Sequence, residues 1–246
     1  MKTIVVANQK GGVGKSIVSI HLAYFFKELG FNVNVVDLDP QGNTSSILSS
    51  EFQNFKASEL FTQEIGILKN NDRIFIGDIG LSNCQDNIDI SLFKKNMAQL
   101  ASLKSDDQKS ICIIDTAPTA STIQIAPLVV ADFVVSPIEI DEFSFQGIKN
   151  ITSTINNVKK QHNPKLNFLG IIPNRVHGTS PRQKQLLAQL QSNYGHLLLS
   201  KEISLGERQA VRDAIGKRQP VWKLKSRSKA KSEFLDMVKL VAEKVN

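Results

Sequence analysis

Short runs of apolar residues alternate along the chain with longer segments in which apolar residues recur every three or four positions. The short runs predict strands at Ile4–Ala7, Val33–Val36, Arg73–Ile76, Ile111–Ile114, Phe133–Val135, Phe168–Ile172 and Leu197–Leu199. The longer segments predict helices at Ser16–Leu29, Ile88–Leu103, Thr122–Val130, Phe145–Gln161, Pro181–Ser192 and Lys229–Val245. Such alternation is typical of βαβ units, and nearly continuous apolar strands indicate a sheet buried on both faces. The pattern therefore predicts an α/β fold whose mostly parallel, doubly wound sheet is flanked by helices on both faces.

This alternation is not interrupted by a repeat or a low-complexity linker, so a single domain over residues 1–246 is expected. The stretch from Phe31 to Phe61 is predicted to be irregular, because it contains an Asp-Pro turn and a polar Gly-Asn-Thr-Ser-Ser sequence. No apolar run approaches the ~18 residues that a membrane span needs. Because the first predicted strand begins near the first residue, no signal peptide is expected either. These features predict a cytoplasmic protein.

The cysteines and histidines form no metal or catalytic pattern. Cys84 and Cys112 lack metal-ligand spacing, and Cys112 lies inside an apolar strand, which predicts a buried, unreactive thiol and a reducing cytoplasm. The histidines occur singly, without a carboxylate at metal spacing, and are expected to be structural: His21, His162, His177 and His196. Hydrolysis by direct attack of water is therefore the chemistry that the remaining residues support.

Positive charge is concentrated near the C-terminal end. The net charge is +7, and between Lys201 and Ser232 ten Lys and Arg residues face three Asp and Glu residues, so this part carries the whole excess. A locally basic surface favours a polyanion, either a nucleic acid or an anionic lipid. A solvated face without a partner remains the alternative. We refer to residues 201–231 as the basic segment.

A glycine-rich motif, Lys-Gly-Gly-Val-Gly-Lys-Ser at residues 10–16, joins the first predicted strand to the first predicted helix. Its glycines let backbone N–H groups approach phosphates, and the helix N-terminus adds free donors and a positive dipole end. Lys15 can then reach the terminal phosphates, and the hydroxyl of Ser16 can bind Mg²⁺. Gln9 stands where the usual P-loop pattern has its first glycine. With Lys and Ser in register, a nucleotide site is favoured over a turn that only joins strand to helix.

Carboxylates follow two further predicted strands. Asp37 and Asp39 are two residues apart after the second strand, so they point the same way and can hold Mg²⁺ waters or orient the attacking water. Two solvated acids in a turn are the alternative. Asp115 ends the apolar strand Ile111–Ile114 in a Walker B arrangement, facing the Mg²⁺ held by Ser16. The predicted metal site comprises Ser16, Asp37, Asp39 and Asp115. Residues 116–122, which follow Asp115, are predicted to be the second switch, a segment whose conformation reports the γ-phosphate. Phosphoryl transfer needs mainly positioning and charge neutralisation, which so small a set can supply.

Taken together, these motifs resemble the ParA/MinD family of dimeric ATPases, whose deviant Walker A motif carries an extra lysine, here Lys10. The resemblance implies ATP and Mg²⁺ as cofactors and an ATP-bridged homodimer in which Lys10 reaches the partner's nucleotide. It implies that Lys10, Lys15 and Asp39 are catalytic, with Asp39 positioning the attacking water and Asp37 supporting the metal shell. The family usually has a second hydroxyl residue after the motif lysine, and this chain has Ile17 instead. The implied phosphate-binding residues are Lys10, Gly11, Gly12, Val13, Gly14, Lys15, Ser16 and Ile17.

The same resemblance suggests how the base is bound. Asn174 follows the predicted strand Phe168–Ile172 and would hydrogen-bond the adenine, while backbone from Leu205 to Asp213 would enclose the other face of the ring. A simple turn residue is the alternative interpretation of Asn174. The stretch from Pro137 to Gly147 resembles the family's loop near the dimer seam.

Within the family the chain most resembles the short, single-domain ParA-like (Soj-like) partition ATPases, because the first strand is not preceded by a helix-turn-helix. A MinD-like membrane attachment is the less favoured alternative, since Glu233, Asp236 and Glu243 on the last predicted helix would be repelled by an anionic membrane. We therefore expect that helix to pack on the sheet and expect no stable membrane binding. A nitrogenase-reductase-like protein is excluded, because no cluster-binding cysteine follows Asp115.

The resemblance implies an ATPase with weak basal activity that binds DNA nonspecifically on the nucleoid. A ParB-like or adaptor protein would stimulate hydrolysis, and the outcome would be segregation of plasmid or chromosomal DNA. A nucleoid-tracking ATPase that positions a protein cargo shares every motif and stays open. A module that holds ATP with negligible turnover is disfavoured by the presence of Asp39 and Lys10. The candidate DNA-binding residues are Arg182, Lys184, Lys201, Arg208, Arg212, Lys217, Arg218, Lys223, Lys225 and Arg227.

Overall fold

The computed structural model describes residues 1–66, 71–83, 89–102, 109–118 and 122–245. The strands are β1 Lys2–Val6, β2 Asn32–Asp37, β3 Gln53–Lys56, β4 Arg73–Ile76, β5 Ser110–Asp115, β6 Phe133–Glu139 and β7 Asn167–Asn174. The helices are α1 Lys15–Glu28, α2 Asn43–Leu48, α3 Glu59–Thr62, α4 Gly80–Asn83, α5 Ile90–Ser102, α6 Thr122–Val130, α7 Ser144–Gln161, α8 Pro181–Tyr194, α9 Gln209–Gly216 and α10 Ala230–Val245. Two short 3₁₀ turns lie at Gly195–Leu197 and Val221–Lys223.

All seven strands pair in parallel, in the order β3-β4-β2-β5-β1-β6-β7. Strand β5 lies between β1 and β2, with Asp115 opposite Val6 on one side and Asp37 on the other. Parallel strands have their carboxyl ends at one edge of the sheet, where ligands of doubly wound folds bind. The pairing order therefore brings the ends of β1, β2 and β5 together at that edge.

Helices cover both faces of the sheet, as the apolar pattern predicted. On one face, α1 and α10 pack with the Val221–Lys223 turn into a core that contains Phe26, Val221 and Phe234. On the other face, α3, α5, α6 and α7 enclose a second core that contains Phe61 and Phe93. A smaller cluster lies beneath α8 beside β6 and β7. The protein is thus a three-layer α/β fold with a helical layer on each side.

The apolar face of α10 is buried in the first of these cores, which confirms the expectation that this helix packs back on the sheet. Cys112 is also fully buried, and burial raises the pKa of its thiol to about 12, as expected for an unreactive cysteine. Cys84 lies outside the described residues. None of the described helices is long and apolar enough to cross a membrane.

Six of the predicted strands and all six predicted helices are present with small shifts at their ends. Residues 88 and 103, which bound the second predicted helix, and residues 119–121 of the predicted second switch lie outside the described parts. The strand predicted at Leu197–Leu199 is wrong. Leu197 ends a 3₁₀ turn, and Leu198 forms a single bridge to Ile171, so this run is apolar because Leu198 and Leu199 are buried beside β7.

The prediction of an irregular stretch from Phe31 to Phe61 is wrong beyond the predicted strand β2, because this part also contains α2, β3 and the start of α3. Strand β3 lies at the edge of the sheet and is mostly exposed, so it has no apolar run. Helix α2 is short, and its hydroxyl side chains donate hydrogen bonds to carboxylates that are distant in sequence. Helix α9, which was not predicted, has a single buried side chain, Ala214.

Candidate nucleotide site

The glycine-rich loop after β1 is held in place by its own residue Asn8 and by close contact with β7. Asn8 accepts a hydrogen bond from the N–H of Lys10 at 2.9 Å and donates to the carbonyl of Pro137 at 2.9 Å. Gly12 and Gly14 have φ angles of 76° and 98°, in the left-handed region that favours glycine. A Cβ at Gly14 would also lie 2.0 Å from Nδ2 of Asn174. The loop therefore requires glycine at this position both for its backbone conformation and for its close approach to β7.

Lys15 lies at the start of α1 and is almost fully buried. Burial lowers the pKa of its ammonium group, and the nearby carboxylates of Asp115 and Asp39 offset part of that effect. Its Nζ donates to the carbonyl of Lys10 at 3.2 Å, which curls the side chain back under the loop. A partly desolvated ammonium group in this position is ready to bind the oxygens of a phosphate.

The carboxylates of Asp37 and Asp115 are fully buried side by side at the ends of β2 and β5. Burial, together with the negative charge of Asp37, raises the pKa of Asp115 to about 7, although the hydroxyls of Thr44 and Ser16 lower it in part. Burial also raises the pKa of Asp37, which is countered by hydrogen bonds from Ser45. Two carboxylates this close, without a cation, form a site that favours positive charge.

Asp39 occupies the tight turn between β2 and α2. Its carboxylate accepts from the N–H of Gln41 at 2.9 Å, and its own N–H donates to Asp37 at 3.2 Å. A cavity of about 330 Å³ lies in front of this turn. Lys15, Ser16, Asp39 and Pro118 are among the residues that line it. Asp39 therefore faces the space in front of the glycine-rich loop. Its role in orienting water stays a prediction.

A second cavity of about 380 Å³ adjoins the first, since Gly12, Gly14, Ile17 and Ile215 line both. Its further lining includes apolar and polar side chains from β7, from the loop before α9, from α9 and from α10, namely Asn174, Arg175, Glu207, Arg208, Val211, Arg212 and Phe234. Because the two cavities share these residues, we call the first the phosphate-side cavity and the second the base-side cavity, after the parts of the nucleotide that the resemblance would place in them.

The structure brings Asn174 and the segment 205–213 together around the base-side cavity, where the resemblance places the adenine. Asn174 is buried, and its Nδ2 donates to the carbonyl of Val13 at 2.7 Å, so the same side chain supports the glycine-rich loop. Its hydrogen bond to adenine stays a prediction. Arg175, the next residue, has a φ of 56°, in the left-handed region that is costly for a non-glycine residue.

Glu207 is the centre of a charged group at the mouth of the base-side cavity. Its carboxylate lies 3.5 Å from Arg175 and 3.0 Å from His177, and it also pairs with Arg212. Burial by itself would raise the pKa of Glu207, but the charge and hydrogen bond of Arg175, together with the charge of Arg212, outweigh burial and lower it. Arg208 is held by Glu233 of α10 at 2.8 Å. Arg208 and Arg212 therefore belong to the wall of the nucleotide cavity as much as to the basic surface.

Lys10, the extra lysine of the motif, forms an ion pair with Asp141 of its own chain. Burial tends to raise the pKa of Asp141, but the hydrogen bond and charge of Lys10 outweigh this and lower it. Asp141 lies in the stretch from Pro137 to Gly147, two residues before Phe143, which is 74% exposed. In the single chain, Lys10 therefore points along its own β6–α7 loop.

Several predicted DNA-binding residues are exposed, and others are engaged in ion pairs. Lys223 pairs with Glu28 at 2.7 Å, and Arg182 pairs with Glu142. The exposed members of the predicted set, apart from the ion-paired residues, are Lys184, Lys201, Lys217, Arg218, Lys225 and Arg227. Those between residues 217 and 227 lie between α9 and α10, on the face of the sheet covered by α1 and α10.

The residues present at the phosphate side fit a magnesium–nucleotide complex. Oδ1 of Asp115 is buried and has no hydrogen-bond partner, and the hydroxyl of Ser16 faces the same carboxylate. Within the described parts of the chain, no three His, Cys, Asp or Glu side chains form a self-sufficient metal site. Mg²⁺ is commonly held by one or two carboxylates together with phosphate oxygens and water, which this donor set can supply. Asp37, whose oxygens are used by Ser45 and Asp39, lies behind this position.

Sequence reasoning missed residues that act through distant contacts. Thr44 and Ser45, which hold Asp115 and Asp37, lie in the polar stretch that was interpreted as irregular. Glu207 and Glu233 stood out only as acids within or beside a basic region. The hydroxyls after the Asp-Pro turn were a usable signal, since Thr and Ser in the first turn of a helix often cap or bind nearby acceptors.

A family model described as an AAA domain matches residues 1–168. Protein IncC of Escherichia coli is 39% identical over 241 residues, and the chain spans 66% of that relative's length and 94% of its own. The chromosome-partitioning ATPase Soj of Thermus thermophilus is 29% identical over 220 residues, covering 88% of this chain and 86% of Soj. An ATP complex of McdA from Cyanothece has the same fold, with a TM-score of 0.81 at 21% identity over 98% of this chain and 96% of that one.

Proposed function

Since the chain belongs to the ParA/MinD-type family of partition ATPases, we propose that it binds and hydrolyses ATP with Mg²⁺ in order to segregate plasmid or chromosomal DNA. In this proposal ATP bridges two copies of the chain, the dimer binds DNA without sequence preference on the nucleoid, and a ParB-like or adaptor protein stimulates hydrolysis. The similarity to the chromosome-partitioning ATPase Soj supports the partition role.

The proposed chemistry uses the residues at the carboxyl edge of the sheet. The loop N–H groups and Lys15 bind the phosphates, and Ser16 with Asp115 holds Mg²⁺. When bound, Mg²⁺ neutralises negative charge on the phosphate oxygens. Asp39 lines the same cavity and accepts a proton or hydrogen bond from the attacking water. Lys10 leaves Asp141 to reach the nucleotide of the partner subunit, so dimer formation competes with the ion pair inside the chain.

One observation carries the link between nucleotide and DNA. Helix α9 contributes Val211 and Ile215 to the nucleotide cavity, and its C-terminal end leads directly into the exposed Lys217 and Arg218. An element that forms one wall of the cavity therefore also begins the exposed part of the basic segment. Phosphate contacts from such a surface give affinity without reading bases, and they depend strongly on salt.

The proposal is tested by retention on nonspecific duplex DNA with ATP, ADP or no nucleotide, over a series of salt concentrations. We expect retention with ATP that falls steeply with salt. Asp39→Ala should bind ATP and DNA as the unmodified protein does but should not hydrolyse ATP. If the protein binds ATP but is retained on DNA equally in all three nucleotide states, the ATP-gated function is wrong. If it is not retained in any state, the DNA role is wrong and anionic liposomes become the next surface to test.

A further inference from the structure

Two successive hydroxyl side chains at the start of α2 hold the two buried carboxylates. The hydroxyl of Thr44 donates to Oδ2 of Asp115 at 2.7 Å, and the hydroxyl of Ser45 donates to Oδ2 of Asp37 at 2.7 Å. The N–H of Ser45 donates to the same oxygen of Asp37 at 2.8 Å. Helix α2 is therefore bound to the ends of β5 and β2 by side chains that are adjacent in sequence.

The contact between Thr44 and Asp115 differs in one respect from the contact between Ser45 and Asp37. Asp37 uses both of its oxygens, because Oδ1 also accepts from the N–H of Asp39. Asp115 uses only Oδ2, and its Oδ1 is buried without a hydrogen-bond partner. Thr44 itself has no exposed surface. A buried carboxylate oxygen without a partner is costly, so this oxygen is suited to a cation or its bound water.

Thr44 also connects Asp115 to the turn that carries Asp39. The N–H of Gly42 donates to the carbonyl of Asp39 at 2.9 Å, and α2 begins at the next residue, Asn43. On its other side this turn packs closely against β4, since a Cβ at Gly77 would lie 2.1 Å from the carbonyl oxygen of Asp39. The chain from Asp39 to Thr44 is thus a short, well-packed connection between the two acidic residues.

We propose that Thr44 is a positioning residue for the metal site: its hydroxyl occupies Oδ2 of Asp115, leaves Oδ1 for Mg²⁺ or its water, and holds the Asp39 turn against that site. This inference rests on the magnesium–nucleotide site proposed above. Groups that hydrogen-bond a metal-binding carboxylate fix its orientation, and their loss typically lowers metal affinity about ten- to hundredfold. Mg²⁺ binding would then also fix the position of Asp39 relative to the phosphates.

The experiment measures binding of the fluorescent nucleotide mant-ADP in EDTA and then over a Mg²⁺ titration. Thr44→Val keeps the shape of the side chain but removes the hydroxyl. We expect it to raise the half-saturating Mg²⁺ concentration about tenfold or more while leaving affinity in EDTA unchanged. Thr44→Ser keeps the hydroxyl and should restore the Mg²⁺ response. Ser50→Ala is the matched control, because this exposed serine lies just after the same helix and lines neither cavity.

The outcomes separate this inference from the proposed function. If the unmodified protein does not bind mant-ADP, or binds it without any response to Mg²⁺, the proposed site is wrong. If it responds to Mg²⁺ and Thr44→Val responds in the same way, the role of Thr44 is wrong. An equal loss of affinity in EDTA and in Mg²⁺ would make Thr44 a part of the pocket wall and would also overturn the inference. In an Asp115→Asn background, Thr44→Val should cause no further change in the Mg²⁺ response.

Discussion

At the scale of single residues, His21 and Asp115 are buried ionisable groups with shifted pKa values. The pKa of His21 is shifted away from neutral pH, and the pKa of Asp115 is shifted towards it. Burial lowers the pKa of His21 to about 4, and burial with the charge of Asp37 raises the pKa of Asp115 to about 7. Nδ1 of His21 lies 2.7 Å from the carbonyl oxygen of Ile17. Nε2 of the same ring accepts a hydrogen bond from the N–H of Val221 at 3.2 Å. Only the neutral ring protonated on Nδ1 satisfies both contacts.

We expect these two groups to change the free energy of unfolding in opposite directions over the same range of pH. As the pH falls, His21 becomes protonated near pH 6.5 in the unfolded chain but only near pH 4 in the folded protein. The contribution of His21 to stability is therefore complete above pH 6.5 and is lost as the pH falls towards about 4. The full loss of this contribution of His21 to the free energy of unfolding is about 3 kcal/mol. The contribution of Asp115 is complete below pH 3.8 and is lost as the pH rises through about 7, because the unfolded chain releases its proton first.

Urea unfolding of the nucleotide-free protein between about pH 4 and 7 checks this expectation for the unmodified chain, His21→Gln and Asp115→Asn. The stability advantage of the unmodified chain over His21→Gln should shrink as the pH falls. Asp115→Asn should gain stability relative to the unmodified chain as the pH rises. A difference between each variant and the unmodified chain that is the same at every pH would show that neither group titrates as inferred.

At the scale of elements, helix α10 holds the loop that closes the base-side cavity. Glu233 in its first turn accepts from the N–H of Gly206 at 2.9 Å and from the guanidinium of Arg208 at 2.8 Å. Both of these residues line the cavity. Since hydrogen bonds to charged groups contribute about 1.5–3 kcal/mol, loss of the carboxylate should leave this loop less well ordered.

Glu233→Ala should therefore weaken ATP binding about tenfold or more, because the loop must be ordered when the base binds. Binding of inorganic pyrophosphate, which reaches only the phosphate side, should be unchanged. Isothermal titration with both ligands measures the two effects. Glu243→Ala is the control, since it removes an exposed carboxylate from the same helix away from the cavity. Equal weakening of pyrophosphate binding would mean that the whole site has been disturbed.

At the scale of the whole molecule, the two faces of the sheet are covered by different elements. The exposed basic residues between 217 and 227 lie on the face that also carries α1, whose first residues bind the phosphates in our proposal. The opposite face is formed by α3, α5, α6 and α7. Arg212 is a poor probe of the basic face, because it pairs with Glu207 at the nucleotide cavity, and a change there would alter both surfaces.

Reversing the charge of Lys225 and Arg227 tests the basic face without touching the cavity, because both side chains are exposed and neither lines it. The double variant Lys225→Glu with Arg227→Glu should be retained more weakly on DNA, while its ATP affinity is unchanged. The slope of its DNA affinity against salt concentration, on logarithmic scales, should be smaller by about two. The matched control makes the same charge change on the opposite face, at Lys94 of α5 and Lys160 of α7. An equal loss of DNA retention in the two double variants would show that the net charge of the protein, and not the basic face, determines DNA binding.

The sequence by itself determined the features that depend on neighbouring residues. Runs of apolar residues specified most strands, the three-to-four-residue period specified the long helices, and the motif at residues 10–16 placed a glycine-rich loop before α1. Asp37 and Asp115 could be placed at strand ends for the same reason. Edge strand β3 was missed because it is mostly exposed and leaves no apolar run. Helix α9 was missed although its apolar residues recur at helical spacing, because it is only eight residues long.

The tertiary structure alone decided which of these residues meet. The order of pairing puts β5 between β1 and β2, so that Asp115 and Asp37 become neighbours although 78 positions of the numbering separate them. It brings Thr44 to Asp115 and Glu233 to Gly206, and it turns Arg212 from a member of a basic run into part of the nucleotide cavity. These outcomes depend on contacts between distant segments. No local pattern of apolar and polar residues encodes them, because such contacts form only when the whole sheet has assembled.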